Sequence, residues 1–258
     1  MTVPLGVAVT ARAGLRGLGE ARARARAWGL PFFDRLEPGG LQPLLEGPVQ
    51  ALLVLGGRGW VLRDARGQLA FTPGMAQLRI KRLRDGVQQP DFLVRLGELG
   101  PGDAVVDATL GLAADALVCA HVVGPTGRVL GVEASRALYL LVSEGLGAAP
   151  PPPTSCPVEV RFGDAREVLA GLPPGSADVV LLDAMFERPR AAGPAFELLR
   201  RHAVAEPLGP ELVAAARRVA RRWVVIKTGR YGGELKRLGI APEPAHRLGP
   251  LQWARLPP

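Results

Sequence analysis

Five short segments hold side chains that can do chemistry. They are Asp107-Ala-Thr-Leu-Gly111-Leu-Ala-Ala-Asp115, Glu133-Ala134, Gly163-Asp164-Ala165, Asp183-Ala-Met-Phe186 and Lys227-Thr-Gly229. Each follows an apolar run, and four of the five include a carboxylate. Gly111 lets a backbone approach a ligand closely, and a helix starting near Ala113 offers free N–H donors. Glu133 stands 22 residues after Gly111. An acidic residue at about that distance, ending the next strand, is placed to accept both hydroxyls of a ribose. The loop is not G-x-G-x-x-G. It lacks the glycines that bring a backbone against a pyrophosphate, and Asp115 would repel one. A nucleoside without phosphates therefore fits better than a dinucleotide. S-adenosylmethionine is such a ligand, and its sulfonium and ammonium charges suit acidic surroundings.

The chemistry is expected at Asp183-Ala-Met-Phe186. Methylating an exocyclic base amine needs an acceptor that holds the N–H and steers the lone pair toward the sulfonium methyl. It also needs a flat surface on which the extracted base can stack. Asp183 supplies the first and Phe186 the second. Structural roles compete for several of these residues: Asp107 and Asp115 as caps or turn formers, Asp164 as a helix cap rather than a partner of the adenine amine, and Phe186 as a core aromatic. Cys119 lies in an apolar helical stretch and reads as core. His121, His202 and His246 have no metal-like spacing, so no metal is expected. No serine stands in a G-x-S-x-G elbow.

The elements that must position these residues alternate. Ala104–Thr109, Arg128–Glu133, Val158–Phe162, Asp178–Asp183 and Trp223–Lys227 read as buried strands. Ala113–Val123, Ser135–Leu146, Ala165–Leu172 and Glu211–Ala220 read as the helices between them. This predicts a Rossmann-like, doubly wound, mainly parallel α/β sheet with its ligand at the carboxyl ends of the strands. Ala245–Leu248 and Leu251–Arg255, joined by Gly249-Pro250, predict a C-terminal antiparallel hairpin. Gly100-Pro101-Gly102-Asp103 punctuates the chain. Before it, an Ala/Arg helix over 14–29 is expected to dock by Leu15, Leu18 and Trp28. A strand at 51–55, a hairpin turning at Asp64–Gly67 and basic helix 75–84 follow. We therefore expect a small basic α+β domain over residues 1–90 and the larger domain over 91–258.

The chain has 258 residues, 48% of them hydrophobic, which suffices for a full core and excludes general disorder. No apolar stretch approaches the ~20 residues of a membrane span, and the N-terminus lacks a signal-peptide layout. Two cysteines make no disulfide framework, so a reducing cytoplasm is expected. The net charge of +8 is uneven: +6 over 1–100, −6 over 101–184 and +8 over 185–258. The acidic middle suits a cationic, hydroxyl-rich ligand, and the basic flanks suit an anion such as RNA. Arg79, Lys81, Arg82, Arg84, Arg188, Arg190, Arg200 and Arg201 are expected to neutralise phosphates.

From Val106 to Lys227 the chain resembles the class I S-adenosylmethionine-dependent methyltransferases, most of all the bacterial small-subunit ribosomal RNA guanine-N2 methyltransferase family. That family's D-A-T-x-G-L-x-x-D loop is matched by Asp107–Asp115 and its V-E strand end by Val132-Glu133. Its D-P-M-[FY] motif aligns with Asp183–Phe186, and its V-V-x-K strand end with Val224–Lys227. The resemblance implies that Ala114, Asp115, Glu133, Ala134, Asp164, Ala165 and Asp183 contact the cofactor. Asp107, Thr109 and Gly111 belong to the same loop. It also implies catalysis on ribosomal RNA, with Asp183 and Phe186 at the acceptor base. The chain departs from the family at Ala114, where Arg or Lys is usual. It departs again at Ala184 and Glu187, where prolines stand. Two other readings remain open: a methyltransferase acting on a protein or small molecule, and a non-catalytic RNA-binding protein with the same fold.

Overall fold

The computed structural model describes residues 4–34, 40–86, 91–184, 193–204, 206–244 and 251–258. They form two compact units. One consists of Met1–Thr72, Arg136–Ala149 and Ala192–Ala203, the other of Pro73–Ser135, Pro150–Ala191 and Val204–Pro258.

The first unit is built on a five-stranded sheet of β1 (Leu5–Val9), β2 (Phe32–Phe33), β3 (Ala51–Gly56), β4 (Gly59–Asp64) and β5 (Gly67–Ala70), in the order β2-β1-β3-β4-β5. β1 runs parallel to both neighbours, and β3, β4 and β5 form antiparallel hairpins. At the second hairpin Asp64 Oδ1 accepts the Arg66 N–H at 2.8 Å, a side-chain bond that closes the turn. Alternation along β1 and β3 apportions the core. Ala8, Leu52 and Val54 pack with Leu41, Leu45 and Val49, while Val7, Val9 and Leu55 pack with helix Gly14–Trp28. That helix does not dock as expected. Leu15 is 87% exposed, and the buried face is Gly17, Ala21 and Ala25. Small residues four apart let the helix backbone lie close to the sheet. Leu18 and Trp28 do pack against this cluster, and Trp28 meets Trp60 with ring centroids 5.2 Å apart. Helices Arg136–Ala148 and Pro194–His202 complete the unit, and Arg201 of the latter pairs with Asp64 at 2.8 Å.

The second unit is the Rossmann-like α/β sheet. β6 (Ala104–Asp107), β7 (Arg128–Glu133), β8 (Val158–Phe162), β9 (Ala177–Ala184), β10 (Ala220–Gly229) and β11 (Leu251–Leu256) lie in the order β11-β10-β9-β6-β7-β8. The first five are parallel, and β11 pairs antiparallel with β10. The expected terminal hairpin falls partly on 245–250, outside the described residues. Leu169, Leu212 and Ala216, from helices Ala165–Gly171 and Pro210–Val219, bury one face of the sheet with Val180, Leu182, Val224 and Ile226. Helices Gly74–Arg84, Phe92–Gly97 and Ala114–Val123 pack together, with contacts to β6, β7 and β10. Helices on both faces explain why these strands read as nearly unbroken apolar runs. The order reverses at β6, whose successor β7 lies on one side and β9 on the other. That is where a ligand crevice opens at the carboxyl ends.

Gly131, in β7, shows how tightly that end is packed. A Cβ there would come within 3.0 Å of Leu110 Cγ, in the loop after β6. Gly131→Ala is expected to cost about 1–3 kcal/mol and to displace the loop. A thermal midpoint lowered together with cofactor affinity would show this. An unchanged midpoint would mean that Leu110 simply swings aside.

Candidate active site

Four of the five parallel strands deliver a polar side chain to the same edge of the sheet. Asp107 ends β6, Glu133 ends β7, and Asp183 and Lys227 stand as direct neighbours near the ends of β9 and β10. The loop after β6 is stitched across these ends. The Thr109 N–H donates to Asp107 Oδ1 at 3.1 Å, and the Thr109 hydroxyl accepts the Asp183 N–H at 2.7 Å. The Gly111 N–H donates to Glu133 Oε2 at 2.9 Å, and the Ser135 N–H to Glu133 Oε1 at 2.8 Å. The turn needs left-handed backbone at Gly111 (φ 53°) and at Ala113 (φ 59°). Glycine adopts that readily; for alanine it stores roughly 1 kcal/mol or more. Helix Ala114–Val123 starts immediately after, with Asp115 in its first turn, where the helix dipole favours a negative charge.

Asp115 anchors a chain of alternating charges. Its Oδ2 lies 2.5 Å from Lys227 Nζ, and its Oδ1 accepts from the Arg79 guanidinium. Arg79 also grips Asp91 with two bonds, of 2.6 and 2.9 Å. Lys227 Nζ lies 2.6 Å from Asp183 Oδ2 and 5.8 Å from the centre of the Trp253 ring. The order is therefore Asp91, Arg79, Asp115, Lys227, Asp183. Burial pushes the Asp115 carboxyl up, but the charges of Lys227 and Arg79 pull it below its ordinary value. Burial raises Asp183, and Lys227 only partly offsets this. Burial also lowers Lys227 and Arg79, yet their carboxylate partners leave both raised and firmly charged.

Asp107, wholly buried beside the Asp115 charge, is pushed up to about 7. Burial likewise lifts Glu133 to about 7, against the N–H donors of Ser135 and Gly111. Each Glu133 oxygen accepts one of those donors, and a carboxylate keeps further acceptor capacity for a ribose hydroxyl. With the carboxylates Asp107, Asp115 and Asp183, this donor set fits a ligand that has a diol and two cationic centres. Ionised Glu133 is the better acceptor, so cofactor affinity should rise as pH climbs through 7. Glu133→Gln should weaken binding about tenfold and flatten that rise. Calorimetric titration with S-adenosylmethionine between pH 6 and 8 checks both. A glutamine variant with the wild-type pH dependence would place the titrating group elsewhere, with Asp107 next in line.

The structure brings Asp107, Thr109, Gly111, Asp115, Glu133 and Asp183 together. Ala114 is partly exposed beside Asp115, and Ala134 is exposed after Glu133. Asp164 caps helix Ala165–Gly171, accepting the Arg166 N–H at 2.8 Å, and is gripped by the Arg166 guanidinium. Phe186, Arg188 and Arg190 lie outside the described residues. Arg79 is a correction: rather than facing phosphates, its side chain is 20% exposed and committed to Asp91 and Asp115. Arg201 is likewise committed to Asp64, and Arg200 lies 3.6 Å from Glu197. Lys81, Arg82 and Arg84 are exposed. Sequence reading missed Arg79, Asp91 and Trp253 as parts of the site and did not pair Lys227 with the carboxylates. The one signal was Lys227 itself, a lone lysine closing an apolar strand beside three acidic strand ends. Cys119 and Cys156 are free and buried. Among the described residues no group of His, Cys, Asp and Glu could hold a metal ion, and no helix is long and apolar enough to cross a membrane.

No protein-family model matches the chain. The uncharacterized protein YpiP of Bacillus subtilis is 34% identical over 213 residues, covering 80% of this chain and 82% of that protein. The ribosomal RNA small subunit methyltransferase J of Laribacter hongkongensis is 36% identical over 140 residues. That match covers 51% of this chain and 48% of that protein. Among solved structures, a SAM-dependent methyltransferase from Neisseria gonorrhoeae superposes with a TM-score of 0.57 at 21% identity. It covers 87% of this chain and 85% of its own, which shows a shared fold. The chain therefore belongs to one family with YpiP, and its sheet order and strand-end carboxylates stand within the fold that it shares with the SAM-dependent methyltransferase structure.

Proposed function

We propose that the protein methylates an exocyclic amine of RNA, with guanine N2 of small-subunit ribosomal RNA as the acceptor and the cytoplasm as its place of work. The observation behind this reading is the Asp183 carboxylate, buried at the end of β9 with Oδ2 on Lys227 at 2.6 Å. Its Oδ1 is the oxygen suited to accept an amine N–H. Bound S-adenosylmethionine supplies an electrophilic methyl group on a sulfonium. Glu133 would hold its ribose, Asp164 and Ala165 its adenine edge, and Asp115 with Lys227 would set the charge around its amino-acid end. Asp183 turns the amine lone pair toward the methyl, and Lys227 keeps that carboxylate ionised and oriented. Phe186 would stack the base. Lys81, Arg82 and Arg84, exposed on helix Gly74–Arg84, suit phosphate contacts. The partial likeness to a ribosomal RNA small subunit methyltransferase supports RNA as the substrate class.

The test is transfer of labelled methyl to unmodified small-subunit ribosomal RNA and to assembled subunits, followed by nucleoside mass analysis. N2-methylguanosine is expected. A methyl on another nucleoside would replace guanine N2 as the acceptor. Cofactor binding with no transfer to either RNA would overturn the RNA reading.

A further inference from the structure

The first unit contains a cavity of about 840 Å³ that none of the site residues above lines. Its floor is the face of the sheet where β3 meets β4, with Val54 opposite Val61 and Gly56 opposite Gly59. The glycine pair has no side chains, so bare backbone extends a flat floor that a ligand can approach closely. Arg12, Arg58 and Arg63 stand around it. A Cβ on Gly57 would lie 3.4 Å from the Arg12 carbonyl oxygen, so the turn holding Arg58 packs directly on the segment holding Arg12.

Two features mark the cavity. Among the described residues none of the three arginines is paired with a carboxylate, whereas Arg79, Arg201 and Arg222 each are. The Thr10 hydroxyl, also at the cavity, is buried without a hydrogen-bond partner. A buried hydroxyl left unpaired is destabilising, and such groups in native structures call for a missing partner. Guanidinium groups bind phosphate through paired N–H donors, and a cavity of this size matches those that enclose small ligands.

From these features we infer that the cavity is a nucleotide-binding subsite. The arginines take the phosphate, the Thr10 hydroxyl takes an oxygen of the phosphate or sugar, and the base lies over Val61 and the backbone of Gly56 and Gly59. A free nucleoside monophosphate and a nucleotide within an RNA strand share this chemistry. The strand as source rests on the RNA reading above; the subsite itself does not.

The test uses the full chain with two probes, guanosine monophosphate and a labelled single-stranded RNA decamer, measured by anisotropy and competition. Replacing Arg12, Arg58 and Arg63 together by alanine should weaken decamer binding at least about tenfold. It should also flatten the log affinity against log salt slope by about 0.7, for the one phosphate no longer neutralised. S-adenosylmethionine binding, read by calorimetry, should not change. Thr10→Val should weaken the same ligand while leaving the thermal midpoint equal or higher, which a purely structural hydroxyl would not do. Monophosphate binding that the arginine variant abolishes, without a decamer effect, would support the subsite and make the free nucleotide its ligand. Both probes bound equally by wild type and variants, or neither bound by wild type, would overturn the proposal. Loss of methyl transfer to RNA with the subsite intact would count against the RNA reading alone.

Discussion

Asp183→Asn should slow methyl transfer by about 10²- to 10⁴-fold while the protein stays folded and still binds its cofactor. The fold should survive because the backbone at 183 is held independently of the carboxylate: the Thr109 hydroxyl accepts its N–H at 2.7 Å, and β9 is paired on both sides. Asparagine also keeps a carbonyl oxygen for Lys227, now at 2.6 Å from Oδ2. It loses the negative charge that draws an amine N–H and aims the lone pair. Single-turnover transfer and cofactor titration separate the two effects.

The pH profile adds a second readout. Burial raises Asp183 above its ordinary value, so the acid limb of the wild-type rate should lie above the usual carboxylate range. Activity is lost as pH falls through that raised value, because protonation removes the acceptor. The asparagine variant should show no such limb. A variant transferring at the wild-type rate would mean that the acceptor amine is oriented elsewhere, and the assignment of Asp183 would fall.

Much of the second unit was legible because a sheet covered on both faces writes itself as apolar runs, and the polar residue closing each run marks the ligand edge. Asp107, Glu133 and Asp183 stand at the strand ends that those runs mark. Arg79 was not legible. It sits among Lys81, Arg82 and Arg84, and nothing local says which of four cations turns inward; its partner Asp115 is 36 residues away. The Ala/Arg helix misled for a related reason. Leu15 is its conspicuous apolar residue, but close approach to the sheet selects Gly17, Ala21 and Ala25 instead. β1 went unrecognised because its parallel partner β3 lies more than 40 residues on, with no turn to announce it. The boundary expected at residue 90 is affected by the same blindness to long-range pairing. A piece starting at 91 would lack Arg79 and leave Asp91 and Asp115 without it. We therefore propose Thr72/Pro73, the first of the points where the compact units divide, as the boundary in place of residue 90, with Arg136–Ala149 and Ala192–Ala203 still belonging to the first unit.

Lys227→Met should be the most destabilising single change at the site. Lys227 Nζ lies 2.5 Å from Asp115 and 2.6 Å from Asp183, with side-chain exposures of 16%, 8% and 12%. Taking away the cation leaves two buried carboxylates facing each other, with Arg79 reaching only the first. Breaking a buried pair in this way costs about 3–5 kcal/mol, or roughly 10 °C in thermal midpoint for a protein of this size. Low pH should rescue the variant. Asp183, already raised by burial, loses the cation that offsets this, so the folded state binds more protons than the unfolded one and stability falls as pH rises. The wild type should lack that slope at Asp115, whose pKa is lowered. Adding Asp183→Asn to Lys227→Met should recover part of the stability, since one charge then no longer needs neutralising. Thermal midpoints of the single and double variants between pH 5 and 8 decide it. A midpoint for Lys227→Met equal to wild type at every pH would mean that water, not Lys227, neutralises these carboxylates. The ordering of charges from Asp91 to Asp183 would then have no bearing on how the acceptor carboxylate is held.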